Sequence, residues 1–247
     1  MAPKPARRRF FMTVGLMTMA VSLGVPGVAA AQPSVAEAVA GVYKDIAPKG
    51  AAQAPVVQKG EDGYLRMVAV GAQSALSRGS AVSGEAYFDK HAAAFGLSSA
   101  RATLEPAFTN AYADRRVERF TQSYAGVPVM GGGATATTWH NGNLVQVRSN
   151  LLTDYQVLDN GDLPLRPAIS PTAARVAARS AVAAAHEGVP VSRLETVMEP
   201  ELKIWYPPMF GMTGPMRLVY ETQVQSLTFP QVLEGVLVDA HAGTAVW

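Results

Sequence analysis

The clearest helical pattern lies in residues 84–95, where Phe88, Ala92 and Phe95 recur at helical spacing and leave one face apolar. Ser83 stands where an N-cap is expected, and Glu85 and Asp89 fall near the positive end of the helix dipole. Gly96 stops the helix, with Leu97 folding back on its last turn. A second helix opens at Ser170, with Pro171 at its first position, and ends at Gly188 and Pro190. Its polar side holds Thr172, Arg175, Arg179 and His186. Ala173, Val176, Ala177, Ser180, Ala181 and Ala184 make the side expected to lie close against a sheet.

Elsewhere the period is two. In residues 117–124, Phe120, Gln122 and Tyr124 share one face, and Val117, Arg119, Thr121 and Ser123 share the other. Residues 134–140 and 143–148 read as two strands joined by Asn141-Gly142, a hairpin signal in which both turn positions take positive φ. Residues 125–133 interrupt this region. Pro128 donates no hydrogen bond, so residues 127–129 are not expected inside a central strand. Gly131, Gly132 and Gly133 suit a turn, a bulge or a close backbone approach.

Further strands are expected over residues 63–70, 202–206, 216–224 and 231–239, with a short return at 245–247 and a strand or turn in 104–113. Short connections in the second half imply antiparallel pairing. The fold class is therefore α+β, as two small subdomains, each an antiparallel sheet packed against a helix. Their expected limits are residues 61–155 and 168–247. Residues 32–60 read as a linker with one short helix near 35–43, and 156–167 as a second linker.

Composition sharpens this picture at the N-terminus. The 247 residues are 49% hydrophobic and 16% charged, which suits one large or two small globular domains. Residues 1–31 look different. Lys4, Arg7, Arg8 and Arg9 precede an apolar run and then small residues, the pattern of a secretory signal cleaved between Ala31 and Gln32. Arg7-Arg8-Arg9-Phe10-Phe11 resembles the twin-arginine export motif without its leading Ser, so export to the periplasm or medium is expected by that route or the general one. Removing the signal leaves 17 basic against 19 acidic side chains, a net charge of −2, and takes away the main support for nucleic-acid binding. After the signal, no apolar run approaches the ~20 residues of a membrane span, so no membrane partner is expected. With no cysteine there are no disulfides and there is no thiol chemistry.

Candidate chemistry is sparse. The histidines are His91, His140, His186 and His241, and no two stand within a helical turn of each other. His186-Glu187 begins a zinc-peptidase motif that Gly188-Val189-Pro190 ends at once. No Gly-x-Ser-x-Gly elbow occurs. The glycine run lacks a following Lys-Ser/Thr, and Asp159-Asn160-Gly161-Asp162 lacks the spacing of a calcium loop. Asp239-Ala240-His241 has no serine partner and reads as turn chemistry. No catalytic, cofactor or metal residue is assigned, and the chain is expected not to be an enzyme.

One stretch does carry a family resemblance. Residues 119–132, read as Arg-Phe-Thr-Gln-Ser-Tyr-Ala-Gly-Val-Pro-Val-Met-Gly-Gly, resemble the Arg-Phe-x-Gln-x-Tyr-x-Gly-Val-Pro-Val-Phe-Gly motif of the fungalysin/thermolysin propeptide (FTP) domain. Phe95-Gly96-Leu97 matches the family's Phe-Gly-Leu, whereas Arg115-Arg116 departs from its usual Gly-x-x-His spacing. The second half resembles the PepSY-type segment of the same precursors, through the strand at 216–221 and the turn at 236–243, with Ala242 in place of Thr. The resemblance implies a propeptide-type module that inhibits and chaperones a thermolysin-like zinc metalloprotease, in cis or in trans. It marks Arg119, Phe120, Gln122, Tyr124, Gly126, Val127, Pro128, Val129, Gly131, Asp239 and Gly243 as motif residues and possible contacts with that partner. The chain would then be either a precursor fragment or free-standing. The other reading is an exported, non-catalytic binding or adhesion module on the same fold.

Overall fold

Residues 33–46, 54–70, 83–226 and 231–246 are described in a computed structural model of the chain. The expected signal peptide and its cleavage point lie outside them. Helix α1 (Val35–Ile46) begins at Ser34, whose hydroxyl accepts from the Glu37 amide at 3.3 Å while the Glu37 carboxylate takes the Ser34 amide at 2.8 Å. It buries Val39, Val42 and Ile46. Strand β1 (Val56–Lys59) follows, so the stretch read as a linker supplies a helix and an edge strand. The short helix expected near residues 35–43 is thus present and runs on to Ile46, while the strand after it was not expected.

Strand β2 (Leu65–Ala69) leads to helix α2 (Gly84–Lys90), capped by the Ser83 hydroxyl at 3.1 Å from the Ala86 amide. The helix does not run unbroken to Phe95. His91 leaves helical geometry, and a 3₁₀ turn, Ala92–Phe95, closes on Gly96 at φ 87°. A side chain at Gly96 would meet Thr153 as well as the strained backbone.

Strands β3 (Ala102–Ala111), β4 (Arg115–Tyr124), β5 (Val127–Trp139) and β6 (Leu144–Asn150) form successive antiparallel pairs. After a short helix, α3 (Gln156–Asp159), comes α4 (Pro171–Ala185), capped by Ser170. Strands β7 (Glu195–Thr196), β8 (Glu201–Trp205), β9 (Arg217–Ser226) and β10 (Val232–Asp239) complete the second half.

The α+β class holds, and each half has its own core and helix. The halves nevertheless share a strand. The hydrogen-bonded path runs β1-β2-β6-β5-β8-β9-β10, with β3 and β4 joined to β5 on one flank and β7 to β9. Among the described residues, the strands pair antiparallel except β5 with β8, which meet in parallel at Val129 and Ile204. Residues Pro33–Trp247 form one compact unit. The stretch read as a second linker is also packed, since Leu158 of α3 joins Leu152 and Tyr155 in the second core.

Helix α4 buries Ala174, Ala178 and Val182, so the face that meets the sheet is turned from the expected one. Ala173, Ser180 and Ala184 are exposed, and Val176 is 57% exposed. Alanine on nearly every side leaves too shallow an apolar stripe for spacing to select the face.

Candidate functional site

The interrupted stretch is where the two halves join. Residues Ala125 and Gly126, at φ 50° and 80°, make the two-residue turn between β4 and β5. Both φ values are positive, as a primed hairpin turn requires. Asn141-Gly142 behaves differently. Only Gly142 has positive φ, and the Trp139 carbonyl accepts from the Gly142 amide at 2.8 Å. Asn141 Oδ1 accepts from the Asn143 amide at 3.0 Å, so the loop is a turn followed by a single left-handed glycine.

Strand β5 runs through Pro128 and all three glycines, contrary to the expected break. What changes is its partner. The β4–β5 register passes from Ser123 opposite Pro128 to Thr121 opposite Gly133, leaving residues 129–132 outside that ladder. There Val129 pairs with Ile204 instead. Pro128 is tolerated where the pairing is about to lapse.

Gln122 occupies the gap. It is fully buried, and its Nε2 donates to the Leu152 carbonyl at 2.9 Å and the Tyr155 hydroxyl at 2.8 Å. The Leu152 amide returns a bond to Gln122 Oε1 at 2.8 Å. The side-chain amide thus replaces a missing strand partner. Each glycine answers a different constraint. A Cβ on Gly131 would meet the Phe210 ring at 2.7 Å, on Gly132 the Gln122 side chain at 2.8 Å, and on Gly133 the Phe120 carbonyl at 2.6 Å.

This crossing forms the floor of an open cleft of about 850 Å³. Its walls differ in charge. On one side stand Arg119 of β4 and Arg148 of β6, in register with Thr135 of β5 between them. On the other, Glu201 and Glu221 stand opposite each other on β8 and β9. That like-charge pair is held by Lys203, whose Nζ donates at 2.9 Å to Glu201 and 2.5 Å to Glu221. Burial alone would lower the lysine's pKa, but hydrogen bonds to Glu221 and Glu201 outweigh it and hold the pKa above its ordinary value. Phe210 and Met130 add apolar surface.

The motif residues have distinct places. Arg119, Pro128 and Gly131 line the cleft, while Phe120 fills the first core and also reaches the cleft. Tyr124 and Val129 are buried in the second core, and Val127 packs against it. The Tyr124 hydroxyl donates to Asp159 at 2.6 Å and its ring stacks on Tyr155 at 5.9 Å. Burial first, and the Asp159 carboxylate second, raise the Tyr124 pKa. Gly126 shapes the turn.

Asp239 and Gly243 belong to another place, the turn after β10. Asp239 accepts from the His241 and Ala242 amides, each at 2.9 Å, and from Arg217 at 2.8 Å. Burial raises its pKa, but these three donors prevail and hold it below the usual carboxylate range. Gly243 supplies the left-handed position, φ 73°. Reasoning from sequence missed Arg148, Glu201, Lys203, Phe210 and Glu221. Only strand register brings them to the cleft, and register has no local signature here.

The four histidines lie in separate surroundings. His91 Nε2 is 3.0 Å from Asp45, His140 bonds the Ala113 carbonyl, His186 meets Glu234 at 3.1 Å, and His241 meets the Arg166 carbonyl. Among the described residues, no group of three or more His, Asp or Glu is arranged to hold a metal ion.

No family model matches the chain. No curated protein matches it either. Among solved structures, the Bacillus megaterium YpeB C-terminal domain is similar at a TM-score of 0.36 and 16% identity, over 86% of this chain and 95% of that one.

Proposed function

We propose that this chain is an exported, non-catalytic propeptide-type module that binds a thermolysin-like zinc metalloprotease domain, in cis or in trans, and both restrains it and assists its folding. One observation carries the reading. The FTP-like residues 119–132 supply much of the cleft floor, one of the two arginines of its wall and the buried Gln122 clamp. They shape a surface that suits another protein, with the Gln122 amide spent on structure and the Arg119 guanidinium left at the cleft.

Chaperoning and inhibition would then share one physical origin. A module that binds the folded enzyme shifts a slow folding equilibrium by mass action. Inhibition in trans needs an interface of roughly 1,200 Å² or more. The test mixes the exported chain, residues 32–247, with a thermolysin-like protease and follows peptide hydrolysis and the yield of refolded enzyme. Dose-dependent inhibition or a raised yield is expected. No effect on either would overturn the reading.

A second reading, an exported binding or adhesion module, draws on Phe108, Tyr112 and Trp139, which are 47%, 53% and 38% exposed on β3, in the turn that follows it, and at the end of β5. Retention on cell-wall material with no effect on any protease would favour it.

A further inference from the structure

The cleft holds two arginines that nothing among the described residues neutralises. Among the described residues, neither Arg119 nor Arg148 has an ion pair or a side-chain hydrogen bond. Arg119 lies 5.8 Å above the Phe108 ring, a contact that uses the guanidinium face and leaves its N–H edge unspent. Lys203 on the facing wall is fully claimed by Glu201 and Glu221. The register sets Arg119, Thr135 and Arg148 abreast on adjacent strands, so the two arginines stand ~10 Å apart at their Cα atoms, two strand spacings. The Arg119 guanidinium leans toward Phe108 on the β3 side, and turning its long side chain back across β4 would bring both arginines over Thr135 onto one small anion.

The rest of the cleft suits an extended chain. Gly131, Gly132 and Gly133 bring backbone to its surface in place of side chains. The volume falls in the range that encloses a few residues of peptide. The acidic wall carries one net negative charge from Glu201, Glu221 and Lys203, and it would repel a carboxylate and turn it toward the arginines. A planar guanidinium offers two parallel N–H bonds to a carboxylate, which a lysine does not.

We propose that this cleft binds an extended acidic segment of a partner protein, with one Asp or Glu carboxylate held between Arg119 and Arg148. The inference rests on the propeptide reading only for the identity of that partner, the protease domain.

The test uses the full exported chain and a fluorescent peptide, acetyl-Gly-Ser-Glu-Ser-Gly-amide, beside the same peptide with Gln for Glu. The acidic peptide is expected to bind at least about ten-fold more tightly than its Gln counterpart, with affinity falling as salt rises. Arg119→Gln with Arg148→Gln should remove that preference, and Arg148→Lys should weaken it. Glu201→Gln, on the opposite wall, should tighten binding. All three positions are exposed on strands, and an unchanged unfolding midpoint confirms that each variant is folded. Equal binding of the two peptides, or an unaltered preference in the double variant, would overturn the proposal. Displacement by inorganic phosphate as readily as by unlabelled acidic peptide would overturn a protein segment as the occupant. Protease inhibition by the wild-type chain and undiminished inhibition by the folded double variant would overturn the cleft as the contact while leaving the propeptide reading in place.

Discussion

The two halves of the molecule solve the same packing problem with opposite side chains. In the first, α2 and the 3₁₀ turn bring Tyr87, Phe88 and Phe95 against Phe120, with edge-on ring contacts of 5.1 Å between Phe88 and Phe95 and 5.5 Å between Phe88 and Phe120. Large rings hold the short helix off the sheet and fill the space between. In the second, α4 meets β9 and β10 through Ala174, Ala178 and Val182, and the bulk comes from Leu218, Tyr220, Val224, Val236 and Val238 on the sheet. Small residues let the helix backbone approach. One core should therefore fail by truncation and the other by enlargement.

The largest expected effect breaks the first core. Phe88→Ala removes a ring that touches three others, and a loss of about 3–5 kcal/mol is expected from urea unfolding. Gln122→Leu comes next because it lies where the halves join. It leaves the buried Leu152 amide and carbonyl without their partner, at about 2–3 kcal/mol, and hydrogen exchange should quicken in both halves. Ala178→Leu tests the second core, where added bulk should cost about 1–3 kcal/mol. If Ala178→Leu proved neutral while Phe88→Ala kept its cost, the close approach of α4 would be wrong.

Acid should separate the halves by pH window. His91 is 8% exposed, and burial holds its pKa below the ordinary 6.5 despite the Asp45 carboxylate beside it. The unfolded chain then binds the extra proton first, so its contribution is complete above pH 6.5 and declines as pH falls toward the lowered folded value. Asp239 in the second half is lowered from 3.8, so its contribution is complete above that pH and is lost as pH falls through the folded value. Urea midpoints between pH 7 and 5 should fall in the wild type and fall less in His91→Leu, whereas Arg217→Gln should lower the midpoint evenly across that range and lose less of it below about pH 4. The smallest effect is a gain. Ala125 bears positive φ at the turn between β4 and β5, so Ala125→Asn should stabilise by about 0.5–1 kcal/mol, read as a raised unfolding midpoint.

Much of this architecture is legible in local chemistry. Ser83 and Ser170 cap the helices they announce, Gly96 ends its turn, and the alternation Leu218, Tyr220, Thr222, Val224 gives the buried face of β9. These signals are legible because caps and periods are properties of a few neighbouring residues. The face of α4 was not legible, since a near-uniform alanine surface does not say which stripe a sheet will cover. The short helix expected near residues 35–43 is there, but that it packs Val39, Val42 and Ile46 into the first core, and that β1 follows it, was not legible in a stretch read as a linker.

The candidate cleft divides along the same line. Its floor was marked by sequence, as a proline and three glycines in a strand-rich stretch. The sequence by itself determined that the chain there is sterically bare and irregular, because proline lacks a donor and glycine lacks a Cβ, but it read that irregularity as a break where β5 in fact stays extended. The tertiary structure decided what that irregularity does. It lets β5 leave β4 for β8, lets Gln122 fill the vacated ladder, and sets Arg119 and Arg148 across from Glu201 and Glu221. Those side chains come from strands up to about a hundred residues apart, and only hydrogen-bond register, a long-range property, sets one charge facing another.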